Sequence, residues 1–121
     1  MHELGVESGI LQAILDGRKT VDCVLGTPEH IKLRKGHTIS FREDVWQDGI
    51  IVTSIPGRAT ATVKQLLYFE SFEEMFSAVY YKDALPDAKS LGEALAIYRL
   101  FYSEADEFEH GVIAIMFELD R

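Results

Sequence analysis

Cysteine is almost missing from this chain: Cys23 is the only one in 121 residues. That excludes a disulfide framework and a cysteine-rich zinc site. The three prolines are scattered at 28, 56 and 86, and no linker, repeat or low-complexity run interrupts the sequence, so a single domain over 1–121 is expected. Long hydrophobic runs are lacking as well. The most apolar stretch, 112–117, is far too short to cross a bilayer as a helix, and no basic-then-apolar leader opens the chain. A cytoplasmic protein with no membrane partner is the expectation. No Walker loop and no dinucleotide-type glycine pattern occurs, and His30, His37 and His110 have no ligand spacing, so neither a cofactor nor a metal is expected.

Positive charge is also scarce. Twelve Lys and Arg face twenty Asp and Glu, a net of −8, which weighs against a broad nucleic-acid coat or a DNA duplex as partner. The distribution is uneven. Residues 17–43 hold six bases (Arg18, Lys19, Lys32, Arg34, Lys35, Arg42) and three acids (Asp22, Glu29, Glu43), a net of +3; the remaining six bases and seventeen acids give −11. An acidic body thus carries one mildly basic segment.

What the chain does have is core material. At 47% hydrophobic residues, a domain of this mass buries about two-thirds of its extended-chain surface. Val6, Ile10, Leu11, Ile14 and Leu15 recur with helical period, and Gly17 sits where a C′ glycine ends a helix. Thr20–Leu25 reads as a short β-branched strand. His37–Arg42 alternates as a strand. Trp46–Thr53 and Arg58–Leu67 follow, with a hairpin turn at Gln47-Asp48-Gly49 and a second turn at Ile55-Pro56-Gly57. Ser71-Phe72-Glu73-Glu74 and Ser90-Leu91-Gly92-Glu93 are capping-box patterns opening two helices. An acidic helical turn is expected within 104–109, and 112–117 reads as a buried strand. An apolar strand at the end of the chain must pair within the earlier sheet. A small antiparallel barrel, or a strongly curled sheet with helices packed on it, satisfies that: an α+β fold.

Two stretches together resemble the ASCH domain of the PUA-like superfamily. Gly17-Arg18-Lys19-Thr20-Val21-Asp22-Cys23-Val24 lies on the family's G-x-K-x-x-E-x-R motif, with Asp22 in place of its Glu and Val24 in place of its Arg. The run from Ser71 through Leu85-Pro86 and Lys89-Ser90, then Tyr98 to Ser103 and Gly111 to Ile115, is similar to small single-domain bacterial and archaeal members. Leu33-Arg34-Lys35-Gly36-His37 matches the family's lysine–glycine turn into a strand. Residues 44–57 stand out as an insertion. The resemblance implies a small PUA-like antiparallel β-barrel with flanking helices, and a cleft beside it that binds RNA. It also implies a possible catalytic set, since one bacterial branch hydrolyses N4-acetylcytidine. Carried over, that set is Lys19, Asp22 and Asp87, although the branch has a threonine where this chain has Asp22.

The chemistry leaves several readings open. A lysine acting as base needs a lowered pKa, and Asp22 beside Lys19 works against it. The pair is better suited to clamp an anion or a base edge. Positions 19 and 22 share a face only if Lys19 lies before the strand, which Gly17 allows. Arg18 and Thr20 flank the motif as ligand-binding candidates, and Arg34 and Lys35 could meet phosphates. Tyr98 and Tyr102, at helical spacing, read as core, and Cys23 as a buried strand residue. The leading expectation is a site for RNA or a modified nucleoside or nucleotide around Lys19. An amidohydrolase for N4-acetylcytidine-like nucleosides and a protein-interaction module are the alternatives.

Overall fold

Alternating apolar and polar positions build the sheet. In the computed structural model, which describes residues 1–120, the strands are β1 (His2–Glu7), β2 (Val21–Leu25), β3 (Thr38–Gln47), β4 (Ile50–Phe69) and β5 (Val112–Leu119). Helix α1 (Ser8–Leu15) follows β1, and a 3-10 turn at His30–Lys32 precedes β3. Four helices lie between β4 and β5: α2 (Phe72–Ala78), α3 (Tyr81–Ala84), α4 (Leu91–Phe101) and α5 (Glu104–His110). The strand order is β1-β3-β4-β5-β2. β1 runs parallel to β3 and the remaining pairs are antiparallel. The result is the α+β architecture expected, as a five-stranded curled half-barrel with flanking helices.

The curl gives the sheet two buried faces. Leu4, Val6, Ile39, Phe41, Val63, Ile113, Ile115 and Phe117 pack with Leu11 and Ile14 of α1 on one side. On the other, Val21, Cys23, Val112 and Ala114 pack under Phe72, Met75, Phe76 and Tyr98 of the helices. β5 is buried on both sides, which is why its sequence is a continuous apolar run rather than an alternating one.

Three local outcomes differ from the sequence expectations. Residues 2–7 form a strand, so Val6 belongs to a sheet and not to the first helix. Leu4 and Val6 alternate with Glu3, Gly5 and Glu7, and the segment gains a complete ladder along β3. Glu7 then caps α1, its side chain accepting from the Ile10 amide at 2.8 Å. The turn expected at Pro56-Gly57 is absent: β4 runs unbroken from Ile50 to Phe69. The proline and glycine fall in a register shift, where Glu43 faces Ile55 but Phe41 faces Ala59, and a bulge tolerates the missing amide. The caps also vary in completeness. Ser71 and Ser90 accept from the Glu74 and Glu93 amides, while Glu74 reaches back to the amide of Glu70 rather than that of Ser71. The fully reciprocal box is Ser103 with Asp106, where an acidic turn alone was expected. The hairpin at Asp48-Gly49 forms as expected, with φ of 52° and 80°.

Candidate functional site

The chain reaches the motif through a helix stop. Gly17 adopts φ 79°, its amide bonds to Ile14 O and the Arg18 amide to Ala13 O, the two bonds of a Schellman ending. Lys19 leaves this turn before β2 begins, which resolves the parity of positions 19 and 22. Its side chain turns inward and is only 2% exposed. The ammonium donates to Ala84 O at 2.6 Å and Val21 O at 2.7 Å, and pairs with Asp22 Oδ1 at 3.2 Å. These three acceptors match the three N–H bonds of an ammonium. Lys19 therefore ties α3 to the start of β2 and has no donor left over for a ligand.

Asp22 is different. Its Oδ1 faces Lys19, but its Oδ2 takes no hydrogen bond from the described residues. No buried side-chain polar atom among them lacks a partner, so this oxygen opens on the space beside it. That space is a cavity of about 830 Å³, lined by Lys19, Asp22 and Cys23 and walled by Leu85, Tyr98 and Tyr102. Tyr98 and Tyr102 belong to an aromatic stack on Phe72, with ring centroids 4.7 and 5.3 Å from it. Burial, with Asp22 and Cys23 nearby, pushes the Tyr102 hydroxyl up to about 12 and that of Tyr98 well above its ordinary value. Both remain protonated donors throughout the physiological range. Burial likewise pushes the Cys23 thiol up to about 12, which removes the thiolate a nucleophile needs.

The cavity's other end is held by β1 and β3. Arg42 forms a fork with Asp44, Nε to Oδ1 at 2.7 Å and an NH group to Oδ2 at 2.9 Å, and donates to Glu3 at 2.9 Å. Ser54 completes the Asp44 shell. The hydrogen bond from Arg42, with that from Ser54, holds the Asp44 carboxyl below the usual carboxylate range. Glu7, Glu29, Asp87 and Glu93 complete the acidic lining. Seven carboxylates thus line the cleft against Lys19 and Arg42, and both cations are already neutralised by carboxylates within it. At the rim His30 accepts or donates across 2.9 Å to His2; burial, then the neighbouring His30, lowers the His2 pKa.

The structure brings Lys19 and Asp22 together. Asp87 also lines this cleft, but its carboxylate is tied to Arg18 at 3.1 Å, and its side chain is 84% exposed. Arg18 in turn bridges to Asp16. Thr20 is exposed and lines a separate cavity of about 540 Å³ with Gly17, Thr62 and Lys64. Arg34 donates from one guanidinium nitrogen to Ile31 O and Leu33 O, and neither it nor Lys35 lines the cleft. Tyr98 lies in the core as expected, with Tyr102 packed against it, and both also reach the cleft wall; the residues that sequence reading left out are those of the Arg42–Asp44–Glu3 network. Opposite charges at positions 42 and 44, on one face of a strand, were the available signal for the network. No cluster of three or more metal-ligating side chains forms among the described residues, and none of their helices is long and apolar enough to cross a membrane.

Two solved structures are similar to this chain over nearly its whole length. The hypothetical protein PH0355 superposes with a TM-score of 0.82 at 28% identity, covering 98% of this chain and 97% of that one. Protein PF0455 from Pyrococcus furiosus gives a TM-score of 0.73 at 29% identity, with 98% and 96% covered. No family model matches the chain, and no curated protein matches it.

Proposed function

We propose that the cleft binds an unphosphorylated nucleoside or nucleobase, its flat face against the Tyr98–Tyr102 wall and its amino edge on Asp22. This narrows the ASCH-like reading of residues 17–24, RNA or a modified nucleoside or nucleotide, to its small-ligand alternative without a phosphate. The observation that carries it is the free Oδ2 of Asp22, facing a cavity with aromatic walls while Oδ1 is fixed by Lys19. A carboxylate held this way accepts from an exocyclic amine such as cytosine N4, and stacking on an aromatic side chain contributes about 1–3 kcal/mol per base. The cytosine and N4-acylcytosine classes fit, since both carry an N4–H.

A phosphate fits poorly. Binding nucleic acid by its backbone requires cations free to meet the phosphates, and the two cations of the cleft are paired internally. The Arg34–Lys35 turn lies outside it. An amidohydrolase with Lys19 as general base is also less well supported, because a neutral amine has two N–H bonds for the three acceptors around Nζ. Lys19 is better understood as the residue that orients Asp22.

Calorimetric titration of the protein with cytidine, N4-acetylcytidine, uridine and cytidine 5′-monophosphate is the test. Binding of the two cytidines, at least tenfold weaker binding of the monophosphate, and loss of binding in Asp22→Ala are expected. Equal affinity for the monophosphate, or full binding by Asp22→Ala, would overturn the proposal.

A further inference from the structure

One part of the sheet is unsupported by the rest of the fold. β1 stops opposite Asp44, and β5 begins to pair with β4 only at Ala61. Between these points, the end of β3 and the first half of β4 pair only with each other, around the Asp48-Gly49 hairpin. Every residue from Ile50 to Arg58 is exposed. The outer edge of β4 over this stretch has no strand beside it among the described residues.

The composition of the ribbon is unusual for such a position. Trp46, Ile50, Ile51, Val52 and Ile55 are each between 40% and 63% exposed. Between Val45 and Gly57 the sole formal charge is that of Asp48, in a chain whose net charge is −8. Free edges are normally guarded by lysine, proline or an inward charge. Ile50-Ile51-Val52-Thr53-Ser54-Ile55 has none of these before Pro56 and the bulge that end it, and its β-branched, uncharged sequence favours pairing with another strand.

We propose that this ribbon is a self-association arm, in which the free edge of β4 at Ile50–Ile55 pairs antiparallel with the same segment of a second copy. Antiparallel pairing of a segment with itself is two-fold symmetric, so one surface satisfies both partners. Charge selects this occupant over others. A nucleic acid or an anionic membrane finds no lysine or arginine between Val45 and Gly57 to neutralise it. The second copy presents an equally neutral strand. A specific interface needs on the order of 1,000 Å² in total, so both the exposed apolar side chains and the strand backbone must take part.

Because the bodies repel, salt strengthens the dimer by screening, opposite to its effect on nucleic-acid binding. Sedimentation velocity of the full chain, over about 10–300 µM at low and high salt, tests this. A dimer fraction that rises with both concentration and salt is expected. Ile51→Glu and Val52→Lys should each abolish it without altering the circular dichroism spectrum. Phe108→Glu, at a side chain 95% exposed on α5, should leave it intact. A monomer at every concentration would refute the proposal. So would a dimer that persists in both ribbon variants, or one lost in Phe108→Glu.

Discussion

Truncating Lys19 to alanine should destabilise the fold far more than removing any exposed cation. The side chain is 2% exposed and satisfies two backbone carbonyls and one carboxylate oxygen. Leaving a buried acceptor unsatisfied costs about 1–3 kcal/mol each, and breaking a buried ion pair from one side costs about 3–5 kcal/mol. The terms overlap, and the cleft lets water reach part of the space vacated. A loss of about 3–4 kcal/mol is the expected result, a large share of the roughly 5–15 kcal/mol that a domain has in total. Urea unfolding reads this directly: with a slope of about 1–3 kcal/mol/M, the midpoint falls by more than about 1 M. Arg18→Ala is the internal comparison. Its pairs with Asp16 and Asp87 are solvated, with side chains 44% or more exposed, and pairs of that kind contribute about 0–1 kcal/mol. A Lys19→Ala midpoint as close to wild type as that of Arg18→Ala would refute the reading of Lys19 as the pin between α3 and β2. The result also bears on function, since an inactive Lys19 variant is interpretable only beside its stability.

Two further outcomes follow from buried acids. Glu107 is 6% exposed, accepts from the Phe72 amide at 3.0 Å and takes both oxygens to Arg99 at 3.2 Å. Glu107→Ala is expected to cost about 2–3 kcal/mol in urea unfolding, while Glu107→Gln, which keeps an acceptor for Phe72, should cost clearly less; equal losses would contradict the assignment. Asp44 is held below the usual carboxylate range by Arg42 and Ser54. Its contribution is complete above the unfolded-state value of about 3.9 and is lost as pH falls through the lower folded value, because the unfolded chain binds the proton first. Unfolding free energy measured against pH should therefore drop less steeply below about pH 4 in Asp44→Asn than in wild type; identical acid limbs would contradict this.

The features legible in the sequence were the local ones. The strand at 112–117, the Asp48-Gly49 hairpin, the Gly17 stop and the serine caps each depend on residues within one turn of each other. The parts that escaped depend on distant partners. Residues 2–7 are short and only half apolar, and they become a strand because β3 offers them an edge. Pro56-Gly57 carries a turn signal, but the ladder on both sides of it outweighs that signal. Within the site, Lys19 and Asp22 were singled out by the resemblance of residues 17–24 to a family motif. Their surroundings were not: Ala84 O lies 65 positions along the chain from Lys19, and Tyr98 and Tyr102 show the same helical period whether a face meets core or cavity. The charge balance shifted most. The basic segment at 17–43 suggested phosphate contacts, but folding pairs Lys19 and Arg42 with carboxylates inside the cleft and leaves Arg34 and Lys35 outside it.

The most direct test of the site is an amide chemical-shift titration of the labelled protein with cytidine. Perturbations concentrated at Asp22, Cys23, Leu85 to Ala88, Tyr98 and Tyr102, and absent in Asp22→Ala, are the expected result. Shifts confined to the Arg34–His37 turn, or to the cavity around Thr20 and Lys64, would contradict a nucleoside cleft at Asp22.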